Sequence, residues 1–141
     1  MLTIQRLAHQ DAEILIQGAE EKAHEIGVPM CIAVVDESGF LIAFKRMDGG
    51  KPLSTTLAQD KAHTAAISRK STQAYNECCV PGSLTFGIQT SASGRFSIVG
   101  GGIPVEVDGA LVGAIGLSGG APDQDIACAT AGLNRFLSSH T

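Results

Sequence analysis

Chemistry in this chain has to come from a short roster of side chains. There are four histidines, at positions 9, 24, 63 and 140, and no pair of them stands at a metal-ligand spacing. His9 and His24 fall off the apolar stripe of the first helix and read as solvated, and His140 belongs to a terminal tail. His63 differs, because Arg46, Asp48, Ser54 and Lys61 lie near it in sequence. If a loop gathers these groups at one mouth, a neutral imidazole there can ligate iron or shuttle a proton. The same charges have a structural use as well: Asp36, Asp48 and Asp60 with Arg46 and Lys61 can form a buried ion-pair network that holds the loop. No Ser-His-Asp arrangement, nucleophile elbow or H-E-x-x-H helix is present.

The four cysteines contain no C-x-x-C, so zinc-ribbon and thioredoxin chemistry have no spacing to rest on. Cys31 sits in a strand-like run, Cys128 in an alanine-rich helical pattern, and Cys78 and Cys79 are adjacent. All read as reduced, small apolar packers. Glycine clusters at 49–50, 100–102 and 119–120 raise the question of phosphate. Lys51 is followed by Pro52 and not by Ser or Thr, which excludes a Walker loop. The triple glycine leads into a strand and not a helix, which excludes the dinucleotide fingerprint. Gly119 and Gly120 precede a helix start, where an anionic group such as a carboxylate can be received.

The elements that must position these groups follow from periodicity. Ile4, Leu7, Ala8, Ala12, Leu15, Ala19, Ala23 and Ile26 recur at helical steps, and Gly27 with Pro29 stops that helix. Met30–Val35 and Phe40–Arg46 predict a hairpin around Asp36-Glu37-Ser38-Gly39. Ser54 is expected to cap a second helix whose surface, with Ala62, Ala65 and Ala66, suits close approach to a sheet. Residues 71–93 are hard to read beyond a short helix at Tyr75 and a break at Pro81-Gly82. Asp108-Gly109 between two β-rich runs predicts a tight second hairpin, with a further strand near Phe96–Val99. Pro122 opens the last helix, with Ile126, Thr130, Leu133 and Leu137 expected on its buried face. The expected fold is a single α+β domain over residues 1–141. Its central antiparallel sheet has about five strands with flanking helices, in the order α-β-β-α-(irregular)-β-β-β-α.

Composition bounds the partners. Lys+Arg is 10 against Asp+Glu 14, a net charge of −4, which argues against nucleic acid and anionic membrane surfaces. Five Phe, one Tyr and no Trp leave no base-stacking platform. No apolar run approaches the roughly 20 residues of a membrane span. The opening residues lack the layout of a secretory signal, so a cytoplasmic location is expected.

Two blocks are more specific. One is Asp36-x-x-Gly39-x-Leu41-x-x-x-x-Arg46-Met47-Asp48, followed by Ser54 and Ala58-x-x-Lys61-Ala62-x-Thr64-Ala65. The other is Gly101-Gly102-x-Pro104-Val105-x-x-x-Gly109-x-x-Val112-Gly113-Ala114-Ile115-Gly116-x-Ser118-Gly119-Gly120, with Asp125 and Ala129. Both resemble the GlcG/HbpS-like family of heme-binding and heme-degrading proteins, which includes the C-terminal domain of PduO-type adenosyltransferases. The resemblance runs through nearly the entire chain in the expected order.

It implies a central antiparallel sheet with helices beside it, homo-oligomers from dimer to octamer, and heme as cofactor, with heme degradation or iron release in some members. Arg46, Asp48, Ser54 and Lys61 occupy family-motif positions, and His63 falls at the variable position of the Lys61–Ala65 segment. On this reading His63 or His24 donates to iron and Arg46 or Lys61 pairs a propionate, with Phe40, Phe44, Phe86, Phe96 and Tyr75 as candidate porphyrin contacts. Asp48, Ser54, Gly119 and Gly120 are the remaining candidate ligand contacts. The alternatives are a small-molecule enzyme, isomerising or hydrolysing an organic acid around Arg46, Asp48, Lys61 and His63, or a ligand-sensing module without chemistry. A flat apolar slot favours porphyrin, and a small charged cavity favours an acid.

Overall fold

The computed structural model describes residues 1–140, so Thr141, the last residue of the expected domain, lies outside the described residues. Four strands, β1 (Cys31–Asp36), β2 (Leu41–Arg46), β3 (Gly102–Val107) and β4 (Ala110–Ser118), form one antiparallel sheet in the order β2-β1-β4-β3. Helices α1 (His9–Ile26) and α4 (Pro122–Ser139) cover one face, and α2 (Pro52–Ser68) covers the other, with the short α3 (Thr72–Cys78) following it.

Strand alternation divides the core. Ile32, Val34, Ile115 and Leu117 point to α1 and α4, whereas Cys31, Ala33, Val35 and Ala114 point to α2. The α2 side is built almost wholly from small residues. A Cβ at Gly116 would overlap the Ala58 carbonyl oxygen and the Ala62 nitrogen, so glycine is what lets α2 lie this close to β4. On the opposite face a Cβ at Gly132 would overlap the Leu15 carbonyl oxygen. This contact sets the rotation of α4. Its buried face is Asp125, Cys128, Ala129, Gly132 and Phe136, while Thr130 and Leu137, expected inside, are exposed.

The turn chemistry is as the local residues dictate. Gly27 caps α1 at φ 73°, and Asp108 and Gly109 both take positive φ (51° and 79°) in the β3–β4 turn. The first helix starts later than its apolar period: Asp11 accepts the Ala8 N–H at 2.7 Å, and Leu7 donates its N–H to the Val112 carbonyl at 3.0 Å instead of joining a helix. The second helix starts earlier, with Lys51 at the cap position and Pro52 in the first turn, so Ser54 is not the cap. Residues 96–99 form no strand, and the sheet has four strands, not five. The Ser97 N–H donates to the Thr64 hydroxyl on α2 at 2.8 Å, and Phe96 packs edge-on against Tyr75 with ring centroids 4.8 Å apart. A side chain on α2 therefore satisfies backbone that a neighbouring strand would otherwise have to pair.

Candidate functional site

The expected gathering of His63, Arg46, Asp48, Ser54 and Lys61 at one mouth does not occur; these residues fall into three groups. The first is internal. Lys61 is carried on α2 into the core, where its side chain is 1% exposed. Its Nζ donates to the Leu117 carbonyl at 2.9 Å and to Asp125 Oδ2 at 2.8 Å. The other oxygen of Asp125 accepts the Gly120 N–H at 2.9 Å. Burial pushes the Asp125 carboxyl above its ordinary value, against the pull of the Lys61 hydrogen bond and charge. The anion received at Gly120 is thus the protein's own Asp125, and Lys61 is not at the surface beside Arg46. Ser54, in the first turn of α2, is buried with its Oγ 3.3 Å from that of Ser118.

The second group lies between α1 and the far end of β2. His24, Arg46 and Asp48 line one cleft of about 270 Å³ with Glu20, Lys45 and Met47. A larger groove of about 590 Å³ between α1 and β2 shares Glu20 and Lys45 with it, and these two close an ion pair at 2.7 Å. The cleft is small and charged.

The third group is centred on His63, nine residues beyond Ser54 and so about 13 Å further along α2. Its Nδ1 is 3.0 Å from the Gly39 carbonyl oxygen. A carbonyl can only accept, so Nδ1 carries a proton, and in the neutral imidazole it is Nε2 that holds the lone pair. Gly39 sits at φ 88°, and a Cβ there would run into the imidazole and Ile67, so the β1–β2 turn needs glycine to receive this ring. The turn is held by Asp36, whose Oδ1 accepts the Ser38 and Phe40 N–H groups at 2.8 and 3.0 Å.

Around this turn the surface is apolar: Phe40, Leu41 and Ile67 are 72%, 50% and 42% exposed. A cleft of about 360 Å³ runs between Phe40, Leu41 and α2, with Asp60 and Arg95 at its polar side, paired at 3.1 Å. The expected loop network is replaced by separate pairs: Asp36 with Arg6 at 3.7 Å, Asp60 with Arg95, and Lys61 with Asp125. Arg95 and Asp125 were not legible as site residues, since each finds its partner from a distant segment. Among the described residues no three His, Cys, Asp or Glu side chains gather to hold a metal ion.

The sequence pattern of the family described as "Haem degrading protein HbpS-like" matches residues 7–134. The chain belongs to this HbpS-like family. It is 36% identical over 112 residues to the protein GlcG of Escherichia coli K12, covering 79% of this chain and 81% of GlcG. The crystal structure of the Klebsiella pneumoniae protein ORFY superimposes with a TM-score of 0.95 at 30% identity, covering 98% of this chain and 95% of that one. A crystal structure of a PduOC:heme complex superimposes with a TM-score of 0.89, also at 30% identity, covering 92% and 94%. The HbpS-like fold carries the GlcG and PduO relationship across the α1-to-α4 span, and among the described residues no helix is long and apolar enough to cross a membrane.

Proposed function

We propose that this chain is a cytoplasmic heme-binding protein, a homo-oligomer of one domain per chain, with His63 as the donor to iron. The observation that carries this is the hydrogen bond from His63 Nδ1 to the Gly39 carbonyl, which fixes the tautomer and leaves Nε2 for a metal, beside exposed Phe40 and Ile67. Membership of the HbpS-like family and the likeness to a heme complex support it.

The residues present fit the group. A heme would need from the protein a donor to its iron, an apolar surface and a cation for its carboxylates. His63, against Gly39 at the cleft's edge and not in its lining, would give the first, Phe40 and Leu41 with Ile67 beside the turn the second, and Arg95, partly exposed at the cleft wall, the third. Asp60 holds the guanidinium of Arg95 in place, and Gly39 holds the imidazole plane. When bound, the heme supplies a redox-active iron. Lys61, expected to pair a propionate, acts instead from within, and Arg46 lies at the other end of β2 from Leu41, roughly 16 Å along the strand.

Hemin titration is expected to give a saturable Soret shift at one heme per chain, lost in His63→Ala and retained in His24→Ala. Native mass spectrometry of the same sample reports subunit count and retained heme together. Loss of the shift in His24→Ala alone would move the donor to the α1–β2 cleft, and no saturable shift in the wild type would end the reading. A Soret band that bleaches under reductant would add the heme breakdown that the family description names.

A further inference from the structure

We propose that Cys78 and Cys79 are a redox-active vicinal dithiol, oxidised by low-molecular-weight disulfides to an intramolecular disulfide that unfastens the segment following α3. The two thiols and their partners Thr85 and Gln89 are not among the residues of the heme reading.

The two thiols close α3 and begin the irregular segment that runs to Phe96. Cys79 Sγ donates to Gln89 Oε1 at 2.9 Å, with the Thr85 carbonyl oxygen 3.6 Å from the same sulfur. Gln89 Oε1 also accepts the Gly87 N–H at 3.0 Å, and the Thr85 hydroxyl donates to the Cys78 carbonyl at 2.9 Å. These bonds are the fastening of residues 85–89 onto the end of α3, and the Cys79 thiol is at their centre. The segment's other bonds are mostly local, such as those from the Ser83 and Ile88 N–H groups to the Val80 and Thr85 carbonyls, both at 3.0 Å. Leu84 and Phe86 project into solvent, and Ser83 Oγ is the one buried side-chain polar atom without a partner among the described residues.

Exposure orders the chemistry. Cys78 is half-buried and can be reached, whereas Cys79 is buried, and Cys31 and Cys128 are fully buried in the core on opposite faces of the sheet. The Cys78 thiolate attacks a disulfide RS–SR, forming a Cys78–S–SR mixed disulfide and releasing RS⁻, which takes up the Cys78 proton. The Cys79 sulfur then attacks Cys78 Sγ, forming the Cys78–Cys79 bond and expelling the second RS⁻, which takes the Cys79 proton as RSH. One disulfide is reduced to two thiols and the protein dithiol is oxidised, so the electrons balance. Cys78 Sγ leans back on the Tyr75 carbonyl at 3.7 Å while Cys79 Sγ faces Gln89, and adjacent Cα atoms stand closer than in an ordinary disulfide. Closing the bond therefore requires the chain here to rearrange and turns the Cys79 sulfur away from Gln89. With its proton gone, that sulfur has nothing to donate, and the 85–89 fastening is lost.

The test incubates the full chain with oxidised glutathione, followed by intact mass, peptide mapping and hydrogen exchange. The expected product has lost two hydrogens, carries the bond between Cys78 and Cys79, leaves Cys31 and Cys128 as thiols, and exchanges faster over residues 80–94 until reduced. Cys78→Ser loses the reaction, and Cys79→Ser stops at the glutathione adduct on Cys78. Gln89→Ala raises exchange over 80–94 without any oxidant, separating the fastening from the oxidation. Binding of phenylarsine oxide, which needs two neighbouring thiols, gives an independent readout in the wild type. An adduct that never resolves in the wild type, a bond involving Cys31 or Cys128, or unchanged exchange after oxidation overturns the proposal.

Discussion

The Lys61–Asp125 pair is a charge couple placed where water cannot help it. Both side chains are almost fully enclosed, and Asp125 is pushed up by burial in spite of its cation. Removing one partner strands the other, so Lys61→Met is expected to cost about 3–5 kcal/mol of stability. The double variant Lys61→Met/Asp125→Leu buries no charge and loses only the hydrogen bonds to Leu117 and Gly120, each about 1 kcal/mol. Urea unfolding should therefore rank the double variant above either single one; a double variant as unstable as the two losses added would contradict this. Sequence reading offered Lys61 either at the loop's mouth or in a buried ion-pair network with nearby aspartates, and its actual partner stands 64 positions away, out of range of any local pattern. His63 was legible as a candidate, but Gly39, which orients it, was legible only as turn chemistry. Arg46, Asp48 and His24 were legible as residue types, and their sharing of one cleft was not.

At the scale of elements, the α2–sheet contact rests on missing atoms. Gly116 and the alanines of α2 allow backbone to approach backbone, so Gly116→Ala drives a methyl into the Ala58 carbonyl, with no flexible side chain to give way. Overpacking of this kind costs about 1–3 kcal/mol and is expected to lower the thermal midpoint without changing the hydrophobic pattern, as circular dichroism would record. An unchanged midpoint would mean that α2 shifts freely. The hairpins and helix stops were readable because Gly27, Gly39, Asp108-Gly109 and Pro122 act through their own backbone dihedrals. Two features were not. The face of α4 is set by Gly132 against Leu15, a contact between helices, and Leu137 is left outside. The run Phe96–Val99 has strand-like residues, but Thr64 supplies the partner that a neighbouring strand would have supplied.

At the scale of the whole molecule, the N-terminal segment is tied to the body by charge. The extended N-terminal segment is fixed by the Leu7 N–H on Val112 and by Arg6, which grips Glu37 in the β1–β2 turn, its Nε 2.8 Å from Oε2. The Arg6 hydrogen bond holds the Glu37 carboxyl down at about 2, well below the ordinary glutamate value of about 4.3. An acid held down in the folded state stabilises the fold at every pH above its unfolded value, and that contribution is lost as pH falls through the folded value. The stability gap between the wild type and Glu37→Gln should therefore be full at neutral pH, shrink below about 4.3 and close near 2. Because Arg6 is largely exposed, the gap should also narrow in high salt. Denaturant midpoints of the two proteins across this range measure it directly. A gap that persisted at the acid end would show that Glu37 steadies the turn beside His63 by packing, and that the N-terminal segment is anchored by Leu7 alone.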